Sequence, residues 1–246
     1  MRVLVVSPVP VDPVTAGNRA RIATMTGLFV KWGWDVHYAF IPMEPADLPA
    51  HISRFGADRF HLLSYRQPMP SWSVRAARKA ARLFKMDAGH LWALDAWYDE
   101  QLTAQLQALH REHDFDLVCV EYVFMSKALE AFGPDVIKIL DTHDCFADRH
   151  RRYLQHGQAP QWFSTTEEAE TDGFTRAHAV LAIQPQEAVA FSERVGRRKT
   201  QDCTVLEFGH ITPEVPQIQC SRDPVGIFLG SRSEERRVGK ECRSRW

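Results

Sequence analysis

Short apolar runs recur along this chain, each bounded by turn residues and separated by stretches of helical period, and this alternation constrains the fold most. Arg2–Ser7, Asp35–Ile41, Asp116–Glu121, Val136–Asp141, Ala179–Ile183 and Thr204–Phe208 are such runs, and Phe60–Ser64 is a weaker one. A run that is apolar throughout, without polar alternation, reads as a strand covered on both faces, as in a parallel sheet. Between the runs lie segments with helical spacing. Ala20–Trp32 places Ile22, Met25, Leu28 and Phe29 on one stripe and is closed by Gly33. Ser73–Phe84, Ala93–His113, Ser126–Phe132, Cys145–Gln155, Glu167–Arg176 and Pro185–Val195 read likewise, the last with Pro at its first turn. Strand and helix in alternation predict an α/β fold with a Rossmann-like, doubly wound parallel sheet and right-handed crossovers.

Composition limits the function classes. The chain has 246 residues, 45% of them hydrophobic and 25% charged, which suits a globular α/β unit. A formal net charge of -1 gives no electrostatic reason to expect nucleic acid. No stretch reaches the roughly 18 apolar residues that span a bilayer. The opening apolar run is broken at once by Pro8, Pro10 and Pro13, unlike a signal peptide. Five scattered cysteines without a CxxC pair argue against a disulfide framework and a Cys-based zinc site, and fit a reducing compartment. The expected location is therefore cytoplasmic.

Residues 1–212 are expected to form one Rossmann-like domain, and the Pro-rich residues 213–224 a linker. Residues 225–231 read as the first strand of a further α/β domain. Residues 232–246 (RSEERRVGKECRSRW) have no apolar period and match the in-frame translation of a common sequencing adapter. They are set aside as a non-native tail, and because basic residues outnumber acidic ones there, the rest of the chain is more acidic than the whole.

In a doubly wound sheet, ligands sit beyond the carboxyl ends of the strands, and four places in this chain fall there. Gly17-Asn18-Arg19 opens the first helix, where backbone N–H groups favour an anion and glycine permits close approach. It is neither GxGxxG nor a Walker loop. Glu121-Tyr122 ends a strand, where a carboxylate can accept from sugar hydroxyls, or can simply cap a helix or form a salt bridge. Asp141-Thr142-His143-Asp144 sets two carboxylates about one imidazole, with Asp144 placed to cap the following helix. His143, Asp144, Asp148 and His150 could supply metal ligands, but their spacing matches no standard zinc pattern, and no metal ion or cofactor is expected. Glu207-Phe208-Gly209-His210 follows the last strand, with Gly209 suited to a close approach or to a plain linker turn.

In order along the chain, these segments resemble the N-terminal domain of the family-4 glycosyltransferases, which have the two-domain GT-B fold. The resemblance rests on Ser7–Ile22 (SPVPVDPVTAGNRARI), Gly33-Trp-Asp-Val36, Ile139–Asp144 (ILDTHD) and Arg176–Glu187 (RAHAVLAIQPQE), and extends over roughly residues 2–231. Two segments depart from the family pattern: Ala16-Gly17 stands for a Gly-Gly pair, and Glu207–Ile211 for a Pro-x-Gly-Val-Asp turn. The resemblance implies a metal-independent retaining transferase that moves a sugar from a nucleotide-sugar donor to a glycan, lipid or small-molecule acceptor. It implies that Gly17 and its neighbours lie near the donor phosphates and His143 near the transferred sugar. The donor's base and ribose would be held by a second domain, so this part alone is expected to be inactive. A sugar-nucleotide 2-epimerase of the same build and a non-enzymatic α/β ligand-binding module remain the competing expectations. Trp72–Met86 interleaves Arg75, Arg78, Lys79, Arg82 and Lys85 with Trp72, Val74, Leu83 and Phe84. Such a helix either lies on anionic lipid, as a peripheral contact at the inner membrane face, or is solvated with snorkelling side chains.

Overall fold

The computed structural model describes residues 1–198 and 203–209. The linker at 213–224, the strand-like residues 225–231, the tail at 232–246 and His210 lie outside the described residues.

Among the described residues seven strands form one sheet: β1 (Arg2–Ser7), β2 (Asp35–Phe40), β3 (Phe60–Leu62), β4 (Leu117–Glu121), β5 (Ile137–Asp141), β6 (Ala179–Ala182) and β7 (Thr204–Glu207). Every pairing is parallel, and the spatial order is β3-β2-β1-β4-β5-β6-β7. This is the Rossmann-like doubly wound sheet. The order reverses between β1 and β4, and that reversal opens a crevice at their carboxyl ends. Among the described residues seven α-helices accompany the strands: α1 (Gly17–Lys31), α2 (Leu48–Phe55), α3 (Trp72–Leu83), α4 (Gln101–His113), α5 (Arg149–Gln155), α6 (Glu167–Phe174) and α7 (Pro185–Arg198).

The apolar runs are strands for the expected reason. Val3, Leu4, Val5 and Val6 of β1, Val118–Val120 of β4 and Val180 of β6 are fully buried. Each such side chain adds about 1.5–3 kcal/mol relative to an exposed position. The ladder registers Val5 against Tyr38 on one side and Cys119 on the other, so β1 is central. A parallel strand covered by helices on both faces needs apolar residues at every position.

The helices depart from the sequence expectation chiefly in five places. α5, expected from Cys145, begins only at Arg149. α1 begins at Gly17, three residues before the expected start at Ala20. α2 was not expected; Asp47 accepts from the Ala50 N–H, and Pro49 sits in its first turn. The long helix expected from Ala93 starts only at Gln101, Leu94–Trp97 forming a turn instead. Val123–Ala131 is a 3-10 helix rather than an α-helix, seven of its nine residues being buried. Gly173 explains part of that tight packing: a Cβ there would lie 2.7 Å from Val123 Cγ2 and 3.1 Å from Ser126 Oγ.

Candidate functional site

At the crevice four charged side chains meet in a space nearly closed to water. Glu121 ends β4 and Asp141 ends β5, in register with each other and fully buried. Arg21 projects from α1 with 5% exposure, and the His143 side chain is 3% exposed. Arg21 grips Asp141 in a bidentate pair, Nε to Oδ2 at 2.7 Å and Nη2 to Oδ1 at 2.9 Å. Its Nη1 donates to the Phe208 carbonyl at 2.6 Å and the Gly209 carbonyl at 3.2 Å. His143 Nε2 lies 2.5 Å from Glu121 Oε2 and 3.8 Å from Asp141 Oδ2.

Charges held out of water require pairing. Arg21 balances one carboxylate, and a proton shared by Glu121 and His143 balances the other. Burial, followed by the field of Asp141, pushes the Glu121 carboxyl up to about 7, against the opposing pull of His143 and Arg21. Burial alone would depress the His143 imidazole, but Asp141 and the bond to Glu121 outweigh it and hold its pKa above the ordinary 6.5.

The backbone is strained at this point. Tyr122 has φ 71° and His143 φ 58°, both in the left-handed region that non-glycine residues seldom occupy. Each such residue costs on the order of 1–3 kcal/mol. Their rings stack on one another, centroids 4.3 Å apart and planes 15° apart. The Tyr122 N–H donates to the Asp141 carbonyl at 2.8 Å, and its hydroxyl accepts from Asn18 Nδ2 at 2.8 Å. Asn18 thus joins the start of α1 to the end of β4 across the reversal point. Phe124, stacked on Tyr122, forms part of an aromatic floor with Phe146 and Phe163.

The residues singled out in the sequence divide as follows. Asn18, Glu121, Tyr122 and His143 come together. Gly17 opens α1 beside them; its N-cap residue, Ala16, makes no side-chain cap bond, and a Cβ at Gly17 would meet nothing within 4 Å. Gly209 joins through its carbonyl, and a Cβ there would make only an ordinary 3.6 Å contact with Ile183 O. Arg19 turns away and pairs with Glu44 at 2.9 Å. The Asp144 carboxylate accepts from the Cys145 N–H at 2.9 Å and pairs with Arg149, and does not cap α5, whose N-cap residue is Asp148. Asp148 pairs with Arg151 and His150 bonds Ser164, so these two do not converge with His143. Glu121, Asp141 and His143 have metal-ligating chemistry, but the Arg21 guanidinium already holds both oxygens of Asp141.

Arg21 is the member that sequence reasoning leaves out of the site; Asp141 is placed there by its strand end, but its partner is not. Arg21 lies four residues before Met25, on the buried stripe of α1. A cation on an apolar stripe calls for a buried carboxylate, and that was the available signal.

No family model and no curated protein matches the chain. Solved structures similar to it include a sucrose-phosphate synthase from Thermosynechococcus elongatus, 13% identical with a TM-score of 0.45, over 85% of this chain and 49% of that one. Another is Arabidopsis thaliana UGT89C1 complexed with UDP, 18% identical with a TM-score of 0.44, over 87% and 50%. A third is a UDP-glucosyltransferase from Polygonum tinctorium capable of glucosylating indoxyl, 9% identical with a TM-score of 0.45, over 88% and 54%. The chain spans about half the length of these structures.

Two outcomes are expected. Replacing Arg21 with Met leaves Asp141 buried without its partner and costs about 3–5 kcal/mol, read as a lowered urea midpoint; an unchanged midpoint contradicts the pairing. The raised Glu121 and His143 pKa values mean that the folded pair keeps a proton which the unfolded chain releases from about pH 4.5 upward. That contribution is fully present below the ordinary carboxyl range and declines as pH rises through about 7. Between about pH 5 and about pH 8 the wild type should therefore lose more stability than Glu121→Gln. Equal slopes in the two proteins would show that the pair holds no such proton.

Proposed function

We propose that this chain is the N-terminal, acceptor-side half of a two-domain glycosyltransferase of the GT-B fold, related to family 4. One observation carries the reading: the uncapped start of α1, Tyr122 and the His143–Glu121 pair converge on the crevice where the strand order reverses. A nucleotide-sugar offers that place a diphosphate and a ring of hydroxyls.

Each element has a role in retaining transfer. Bond cleavage at the sugar builds positive charge on the ring and negative charge on the departing diphosphate. The amides of Gly17 and Asn18 and the dipole of α1 lie toward the diphosphate, where glycine leaves room. His143, held as an imidazolium by Glu121, places fixed positive charge and a hydrogen-bonding ring against the transferred sugar. Such pre-set charges act in the transition state without reorganisation. The Tyr122 ring and Asn18 fix the position of His143. Cations that hold the diphosphate from the other side, and the base and ribose pocket, belong to a second domain, so this half alone carries no transfer. The 2-epimerase reading calls for further carboxylates in the cleft; Glu121 and Asp141 are already committed to His143 and Arg21, which favours transfer. No helix among the described residues is long and apolar enough to cross a membrane, and the reading includes a cytoplasmic enzyme.

A peripheral membrane contact belongs to the same reading. None of the residues of α3 is buried, and Trp72, Leu83, Phe84 and Met86 are exposed. Arg78 turns inward over the Trp92 ring at 3.5 Å, and Arg82 Nε donates to the Gly89 carbonyl at 2.8 Å. Arg75, Lys79 and Lys85 remain to meet anionic headgroups. Sedimentation with vesicles should rise with phosphatidylserine content and fall in Trp72→Ser/Phe84→Ser; binding independent of anionic lipid contradicts the contact.

The central test uses the protein completed from the genomic sequence downstream of codon 231. Calorimetry against a panel of nucleotide-sugars should find a donor, and His143→Ala should lower transfer about 100-fold or more. Absence of binding across the panel contradicts the transferase reading, and a stop codon at that point supports the binding module.

A further inference from the structure

At the opposite end of the sheet from the crevice, three imidazoles meet. His37 comes from β2, His61 from β3 and His113 from the last turn of α4. His37 Nδ1 lies 2.9 Å from His61 Nε2, and the two rings meet edge to edge through these nitrogens, with centroids 5.2 Å and planes 8° apart. The His113 ring packs with its centroid 4.6 Å from that of His37 and 5.2 Å from that of His61. One ring nitrogen from each residue lies within 4.8 Å of the other two. Phe115 closes one side, its ring edge-on to His37 at 5.1 Å.

Hydrogen bonding within the cluster leaves work undone. A proton between His37 and His61 satisfies one pair of nitrogens and offers nothing to the third ring. A divalent cation takes lone pairs from all three together. Tetrahedral zinc binds imidazole at about 2.0–2.1 Å, which sets the ligand nitrogens about 3.3 Å apart. Reaching that arrangement closes a separation of up to 4.8 Å by about 1.5 Å, and it turns the His37 and His61 rings so that their facing nitrogens point to one metal instead of to each other.

The surroundings also suit a metal. His37 Nε2 faces Asp35 Oδ2 at 3.7 Å, which leaves Nδ1 to act as the ligand. Asp35 is in turn held by Arg2 at 3.1 Å and Arg59 at 2.5 Å. A carboxylate behind a ligating imidazole orients the ring and raises its basicity. An all-imidazole set suits zinc, copper and nickel rather than magnesium or calcium. The free cysteines among the described residues, Cys119, Cys145 and Cys203, are not part of the cluster.

We propose that His37, His61 and His113 form a Zn²⁺ site with a fourth position open to water, clipping β2, β3 and the end of α4 together. β3 has three residues and, among the described residues, pairs only with β2, so a metal there secures a short edge strand. The site is independent of the transferase reading.

The full chain, stripped with EDTA, is titrated with Zn²⁺ by calorimetry and with Co²⁺ followed by visible absorption. One high-affinity site per chain, a tetrahedral Co²⁺ spectrum and at least about tenfold weaker binding in His61→Ala and His113→Ala are expected. Asp35→Asn should weaken binding about 10- to 100-fold while keeping the stoichiometry. His143→Ala should bind as the wild type does. If His61→Ala does not fold by circular dichroism, His113→Gln, at a partly exposed ring, makes the comparison. The proposal is overturned if the wild type binds no Zn²⁺, if the His61 and His113 variants bind it undiminished, or if His143→Ala abolishes it.

Discussion

The bidentate pair between Arg21 and Asp141 organises the carboxyl end of the sheet. It links the first helix to the fifth strand across 120 residues of sequence. The remaining guanidinium nitrogen reaches the Phe208 and Gly209 carbonyls beyond β7. One cation thereby sets three segments around the crevice. An ion pair taken out of water is seldom a net source of stability, because desolvation offsets the attraction. Its consequence here is positional: Arg21 fixes the Asp141 carboxylate in the interior, and the field of that carboxylate acts on the Glu121 and His143 beside it.

That field links electrostatics to local shape. Glu121 alone would be an unpaired buried carboxylate, and His143 alone a buried imidazole at an unfavourable φ. Together they share a proton, and the stack of His143 on Tyr122 holds both strained residues in one arrangement. Asn18 ties the arrangement back to α1. Strain of on the order of 1–3 kcal/mol per residue persists only where neighbours over-determine the conformation, and here three elements do so. The result is a pre-set charge cluster beside an uncapped helix N-terminus at the switch point of the sheet.

Much of this was legible in the sequence, for a physical reason. Strands buried on both faces must be apolar at every position, so RVLVVS and LVCVE announced themselves. Residues at strand ends, Glu121, Tyr122 and His143, could be placed because the carboxyl ends of a doubly wound sheet face one crevice. What depends on contacts between distant segments was not legible. Arg21 and Arg19 sit two residues apart, and only packing decides that Arg21 turns inward while Arg19 pairs with Glu44. Asp47 and Pro49 carry the start signal of α2, but its eight residues, about two turns, give too short an apolar period to read. The helix expected from Ala93 loses its first turns to the packing of Trp92 and Trp97 against the loop that ends in Phe163. The three histidines of the opposite rim come from three separate elements, and nothing in their spacing brings them together.

The most direct test of the central claim is the protonation state of His143, read by ¹⁵N NMR of its imidazole in the protein completed from genomic sequence, with and without a nucleotide-sugar. An imidazolium that persists above the ordinary histidine range, and whose resonances move when donor is added, is the predicted result. A ring that is neutral near neutral pH, with resonances indifferent to every donor tried, would contradict both the shared proton and the placement of the site.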